Sequence, residues 1–243
     1  MEPQQLESSY VVVDGTDPRT PKQPFQCFTI GICGGSGSGM STFADLLFTD
    51  YNARDPELAN ILHTHHYFIN RRAYQKNKDG EYLFDLPSNL HLSGLNMDLA
   101  HLQIGGSFGV PIRDFESGEI EAHVSFRVTS VVIIEGIFLL YYKALRNQID
   151  YMIFLDVPTE VRKQRRLKRD SWIDEEYYDQ FIEPAYEKYV LAHRHKADRI
   201  FDTSKPISEH EFAGLLQDIE QKRMHELSIC LPHAKYSELY AKK

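Results

Sequence analysis

The stretch Cys27–Tyr51 restricts the fold of this chain more than any other. Cys27-Phe28-Thr29-Ile30-Gly31-Ile32-Cys33 is a short apolar run. A glycine–serine turn follows at once, and apolar residues then recur at Phe43, Leu46, Leu47 and Tyr51 with helical spacing. A continuous apolar run bounded by turn residues suits a strand buried on both faces, as in a parallel sheet. The alternation continues along the chain. Further strands are expected to end at Ile61-Leu62-His63 and to cover Val131–Ile134, Tyr151–Leu155 and Arg199–Phe201. Helices are expected over Asn96–Gln103, Thr159–Arg169 and Ser208–Glu226. Strands alternating with helices predict an α/β fold in which a parallel sheet carries helices on both faces.

The turn itself points to phosphate. The phosphate-loop pattern asks for Gly, four free positions, Gly, Lys, and then Ser or Thr. Here Gly34, Gly39 and Ser41 match, while position 40 is Met40. This predicts a P-loop NTPase three-layer sandwich, with Gly34, Gly35, Ser36, Gly37, Ser38, Gly39, Met40, Ser41 and Thr42 around the phosphates of ATP and with Mg2+ on the Ser41 hydroxyl. The glycines aim backbone N–H groups at the phosphate, and the helix start adds its positive end. Neither effect needs lysine. The missing ammonium would follow the charge of the transferred group, and losing such a group commonly costs roughly a hundred- to thousand-fold in rate.

Composition removes several classes of function. Lys and Arg number 27 against 35 Asp and Glu, a net charge of −8, which disfavours broad contact with nucleic acid. The longest apolar run, Val131–Tyr142, contains Glu135 and is too short to cross a bilayer, so no membrane partner is expected. Cys27, Cys33 and Cys230 are too few and too scattered for a disulfide framework. With a polar Met1–Ser9 lacking the apolar core of a signal peptide, they suggest a reducing, cytoplasmic setting. Residues 1–24, with Pro3, Pro18, Pro21, Pro24 and Asp14-Gly15, read as an extension holding at most one strand at Ser9–Val13. Residues 25–243 then form a single domain.

Further stretches occur in a fixed order after the loop: Phe84-Asp85-Leu86-Pro87, Val110-Pro111-Ile112-Arg113-Asp114-Phe115, Val132-Ile133-Ile134-Glu135-Gly136-Ile137 and Arg165-Arg166-Leu167-Lys168-Arg169-Asp170. From about Phe25 to Thr203 the chain thereby resembles the uridine kinase family, which includes uridine–cytidine kinases, phosphoribulokinase-like proteins and nicotinamide riboside kinases. The run Glu135–Lys143 is similar to the last branch. The resemblance implies transfer of phosphate from ATP to the primary hydroxyl of a ribonucleoside. It implies that Glu135 meets Mg2+ with Ser41, and that Arg165, Arg166 and Arg169 clamp phosphates. It puts Phe68, Asp85 and Arg113 on the acceptor side. Relatives are often oligomeric, so a homo-oligomer is an open expectation. Some assignments have plainer alternatives: Asp85 as a loop aspartate bonded to its own backbone, and one of the three arginines as part of a solvated helix face.

Departures fall on the reacting positions. His65 stands where the family has the aspartate base. Arg113 replaces a base-stacking tyrosine, Gly118 a base-contacting histidine, and Ser171–Glu175 the arginine-rich end of the lid. A neutral imidazole accepts a proton near pH 7, so His65 is a candidate base. Arg113 is a candidate replacement for the lost cation. His63 and His65, two apart on a strand, would share a face, a spacing that also suits zinc or copper, although a packed or solvated histidine cluster is commoner. The expectation is a uridine-kinase-like nucleotide-binding protein with weak or lost phosphoryl transfer; one alternative is a non-catalytic scaffold or regulatory pseudokinase. The other alternative is an active divergent kinase for a nucleoside-like small molecule, with His65 as base.

Overall fold

A computed structural model describes residues 27–102, 105, 107–114 and 117–230, with the backbone alone for the last four. The expected extension 1–24 with its strand, Phe115, and the segment after 230 lie outside the described residues. Seven strands are present among them: β1 (Phe28–Gly34), β2 (Ala59–His63), β3 (Ser107–Arg113), β4 (Ile120–Arg127), β5 (Val131–Glu135), β6 (Tyr151–Leu155) and β7 (Arg199–Phe201). The helices are α1 (Met40–Arg54), α2 (Leu92–Leu102), α3 (Lys143–Arg146), α4 (Thr159–Arg169), α5 (Glu175–Tyr177), α6 (Glu183–Tyr189) and α7 (Glu209–Cys230). A π-helical turn, Tyr178–Ile182, joins α5 to α6.

The main sheet has five parallel strands in the order β2-β5-β1-β6-β7. β1, β5 and β6 are buried along their whole length, which explains their unbroken apolar runs. Side chains alternate between two cores. Ile30, Ile32, Val131, Ile133 and Ile153 pack with Phe43 and Leu47 of α1 and with Leu215 and Ile219 of α7. On the opposite face, Cys33, Val132, Ile134 and Phe154 pack with Leu95, Leu99 and Leu102 of α2. Each such side chain contributes about 1.5–3 kcal/mol by leaving water. Both faces are thus covered by helices, and the chain has the α/β P-loop NTPase fold.

One element departs from the expected alternation. β3 and β4 form an antiparallel hairpin outside the main sheet, with Val110 opposite Val124. Seven of the eight β4 residues are exposed, although Ile120, Ala122, Val124 and Phe126 are apolar and alternate with polar residues. Phe126 anchors it against Phe108, ring centres 5.0 Å apart.

Candidate functional site

The C-terminal ends of β1, β5 and β2 lie side by side, and each delivers a different part of the site. β1 ends at Gly34 and the chain turns tightly, with the Ser38 N–H donating to the Gly35 carbonyl at 2.9 Å. Gly37 and Gly39 take φ of 85° and 92°, values that L side chains avoid. A Cβ on Gly37 would also stand 2.5 Å from the Arg162 carbonyl, because α4 backs the loop. α1 then begins at Met40 with no side-chain cap and no acidic residue in its first turn, so its positive end is open. The buried Ser38 Oγ has no hydrogen-bond partner.

α4 supplies arginines of two kinds. Arg165 donates to the Gly37 carbonyl at 3.3 Å and to the Thr203 carbonyl at 2.9 Å, while Arg169 reaches Ser36 Oγ at 3.4 Å. Both are exposed beside the loop. Arg166 is buried and turns away, pairing with Asp170 and lying 3.6 Å from Asp85. Burial pushes the Asp85 carboxyl above the usual range, Arg166 opposes that push, and Asp170 adds to it. The grouping of all three arginines as one phosphate clamp therefore changes: Arg165 and Arg169 flank the loop, and Arg166 belongs with the two aspartates.

Sequence reasoning missed Arg162, whose side chain is only 1% exposed. It donates to both Glu183 oxygens at 2.9 and 3.0 Å and to the Tyr178 hydroxyl at 3.1 Å, and it lies 3.7 Å above the Tyr186 ring. This buried ion pair fixes the helix on which the loop rests. The pairing spans 21 residues, and no local pattern announces it.

At the neighbouring strand ends, His63 of β2 stands opposite Glu135 of β5 in the register. The His63 Nδ1–H donates to Glu135 Oε1 at 3.0 Å, and His65 Nδ1 lies 3.5 Å from the same oxygen. The expected sharing of one strand face by His63 and His65 is corrected: the strand ends at His63, and His65 sits in a 3-10 turn, Thr64–Tyr67. The turn follows because Thr64 is buried against the Gly136 backbone. The bond to Glu135 holds the His63 imidazole above its ordinary pKa, against the effect of burial. Burial alone would raise Glu135, but the bonds from His63 and His65 outweigh it and bring the carboxyl down to about 2. Burial and the nearby rings of His65 and His63 push His66 down to about 4.

Other expected residues separate from the loop. Met40 packs against the α1–α7 core, while Ser41 and Thr42 are exposed. Arg113 donates from Nε to the His66 carbonyl at 3.3 Å and from Nη1 to the Gly118 carbonyl at 2.9 Å, which ties part of its guanidinium to the base of the hairpin. Phe68 packs on the α2 core and bridges to Leu90. Next to Asp85, Phe84 meets Trp172 with ring centres 4.3 Å apart and planes tilted by 48°, and Arg71 lies 5.0 Å above Phe84.

The profile of the phosphoribulokinase / uridine kinase family matches residues 29–206. The chain belongs to this family. A chloroplastic uridine/cytidine kinase of Arabidopsis thaliana is 29% identical over 195 residues, covering 76% of this chain and 39% of that protein. The chain thus spans about two fifths of the length of that relative. A uridine kinase of Proteus mirabilis is 27% identical over 184 residues, 72% of this chain and 86% of its own. The fold of phosphoribulokinase from Rhodobacter spheroides superimposes with a TM-score of 0.55 at 13% identity, over 73% of this chain and 70% of that one. Kinases of this family use ATP and Mg2+. No helix among the described residues is long and apolar enough to cross a membrane.

Proposed function

We propose that this chain binds the phosphates of ATP at the Gly34–Thr42 loop and transfers phosphate weakly or not at all. The open start of α1 carries the reading. Positive-φ glycines, uncapped backbone N–H groups and the unpartnered Ser38 Oγ form a cradle that fits a phosphate, with Arg165 and Arg169 as flanking cations. Mg2+ would neutralise charge on the phosphates, with the Ser41 hydroxyl as its protein ligand and Glu135, already shared by two imidazoles, as a weaker one. Met40 contributes no charge to a transferred phosphoryl group, and His65 replaces the family's carboxylate base.

The domain of this function is residues 25–243, in the cytoplasm, as a nucleotide-dependent scaffold or regulator. A nucleoside-like molecule would rest on the Phe84–Trp172 pair near Asp85, and self-association belongs to the same proposal. The half-exposed His65 favours a second reading, a slow kinase in which its imidazole accepts the acceptor's proton. Titration calorimetry with ATP and Mg2+, followed by a nucleoside acceptor screen on the same sample, separates the readings. Binding without ADP release supports the first. Release of ADP that His65→Ala abolishes supports the second. No binding at millimolar ATP overturns both.

A further inference from the structure

We infer that His63, His65 and Glu135 form a site for a single first-row transition-metal ion of the zinc class. The ligand atoms of the three all lie within 4.8 Å of one another. Metal bonds of about 2.0–2.1 Å to nitrogen and oxygen set the edge of a coordination tetrahedron near ~3.3 Å. The separations from Glu135 Oε1 to the two Nδ1 atoms, 3.0 and 3.5 Å, bracket that edge.

The fold builds this convergence. Parallel pairing of β2 with β5 fixes His63 opposite Glu135. The Thr64 hydroxyl lies so close to Gly136 that a Cβ there would stand 1.9 Å from it, so the turn bearing His65 is pressed onto the end of β5. Glu135 is 6% exposed, and its buried charge, which the His63 Nδ1–H meets in the metal-free site, would be met by the ion once that proton is released.

The donor set selects the kind of cation. Magnesium takes oxygen ligands in near-octahedral geometry, whereas two imidazoles and one carboxylate suit zinc and its neighbours in the first transition row. Three protein ligands leave a coordination position open for water. The His65 side chain is 57% exposed, which gives the ion a route from solvent. With its Nδ1 lone pair on a metal, His65 would no longer act as base. The replacement of an aspartate by histidine then becomes a change of metal chemistry rather than a simple loss. The site needs no nucleotide to be complete, and since Glu135 is also offered to Mg2+ in the proposed function, the two ions would compete for that carboxylate.

The test uses the full chain stripped with a chelator and held free of nucleotide. ZnCl2 and MgCl2 are titrated by calorimetry into the wild type, His63→Gln and His65→Gln, with CoCl2 as a coloured probe. Expected are one Zn2+ per chain, held about 100-fold or more tightly than Mg2+, and a loss of roughly tenfold or more in each variant. Thermal melts of the metal-free variants check that they fold, and the exposed His65→Gln keeps the test decisive if His63→Gln does not. Absence of zinc binding overturns the inference and leaves a histidine–carboxylate ion pair only. Tight binding unchanged in both variants also overturns it, by placing the ion elsewhere. Because ATP binding is read on the unstripped chain, failure of the metal site and failure of the phosphate loop are distinguishable.

Discussion

The loop after β1 and the turn after β2 lie at the same edge of the sheet yet differ in what carries their function. In the loop the working groups are backbone N–H atoms, and their positions depend on Gly37 and Gly39 and on the helix behind them. In the turn they are side chains, His63 and His65 against Glu135. A backbone cradle is held by packing, and the fold resists its alteration. Half-exposed reacting side chains can be exchanged at small cost in stability. On the proposed function, holding a nucleotide and transferring its phosphate would be separable properties within one site.

Arg162→Ala strikes the support of the loop and has the largest expected effect. Removing one partner of a buried ion pair commonly costs about 3–5 kcal/mol. Urea unfolding should show that loss, and a change below about 1 kcal/mol would place the support of the loop elsewhere. Next in size is Gly37→Ala. The new Cβ meets a φ of 85° and a carbonyl 2.5 Å away; strain of this sort costs about 1–3 kcal/mol. Thermal melts with and without ATP should show a lowered baseline and no nucleotide-induced rise. An undiminished rise would mean that the phosphates bind away from the loop.

Met40→Lys sharpens the contrast from the other side. A lysine stem can follow the apolar surface that Met40 covers and release its ammonium toward the loop. Stability should stay within about 0.5 kcal/mol, while ATP binds about tenfold more tightly, equivalent to ~1.4 kcal/mol. Unchanged ATP affinity by calorimetry would count against the loop as the phosphate site. A last signal, read against pH and not by substitution, concerns the strand beneath both regions. Burial pushes the Cys27 and Cys33 thiols up to about 12. The folded state therefore holds these protons more firmly than the unfolded chain. Stability should fall as pH rises from the ordinary value of 9.0 toward 12, by up to about 1.4 kcal/mol per unit for each thiol. Iodoacetamide at pH 8 should label neither before unfolding, and labelling of the native chain at Cys33 would show that β1 opens locally.

The fold was legible where burial is two-sided. β6, β7 and α4 keep the bounds expected from sequence, and β1 is displaced by a single residue, because continuous apolar runs and helical spacing are local signals. The β3–β4 hairpin was not anticipated, although Ile120-Glu121-Ala122-His123-Val124-Ser125-Phe126-Arg127 alternates strictly between apolar and polar residues, a local strand signal that lies outside the βα alternation of the main sheet. Of the site, the loop could be read as a motif. The partnership of His63 and His65 with Glu135 could not, since strand register brings together His63 and a residue 72 positions away. Arg162 was hidden for the same reason.

The burial of Arg162 divides α4 into unlike halves. Drawing that guanidinium away from Glu183 would cost several kcal/mol, so the first turns of the helix act as a fixed post. Any closing movement over a bound nucleotide would have to pivot beyond Arg166, within the last turn of α4. Arg165 would then barely travel while Arg169 swept the wider arc, so the two flanking cations would meet the phosphates in sequence, not together.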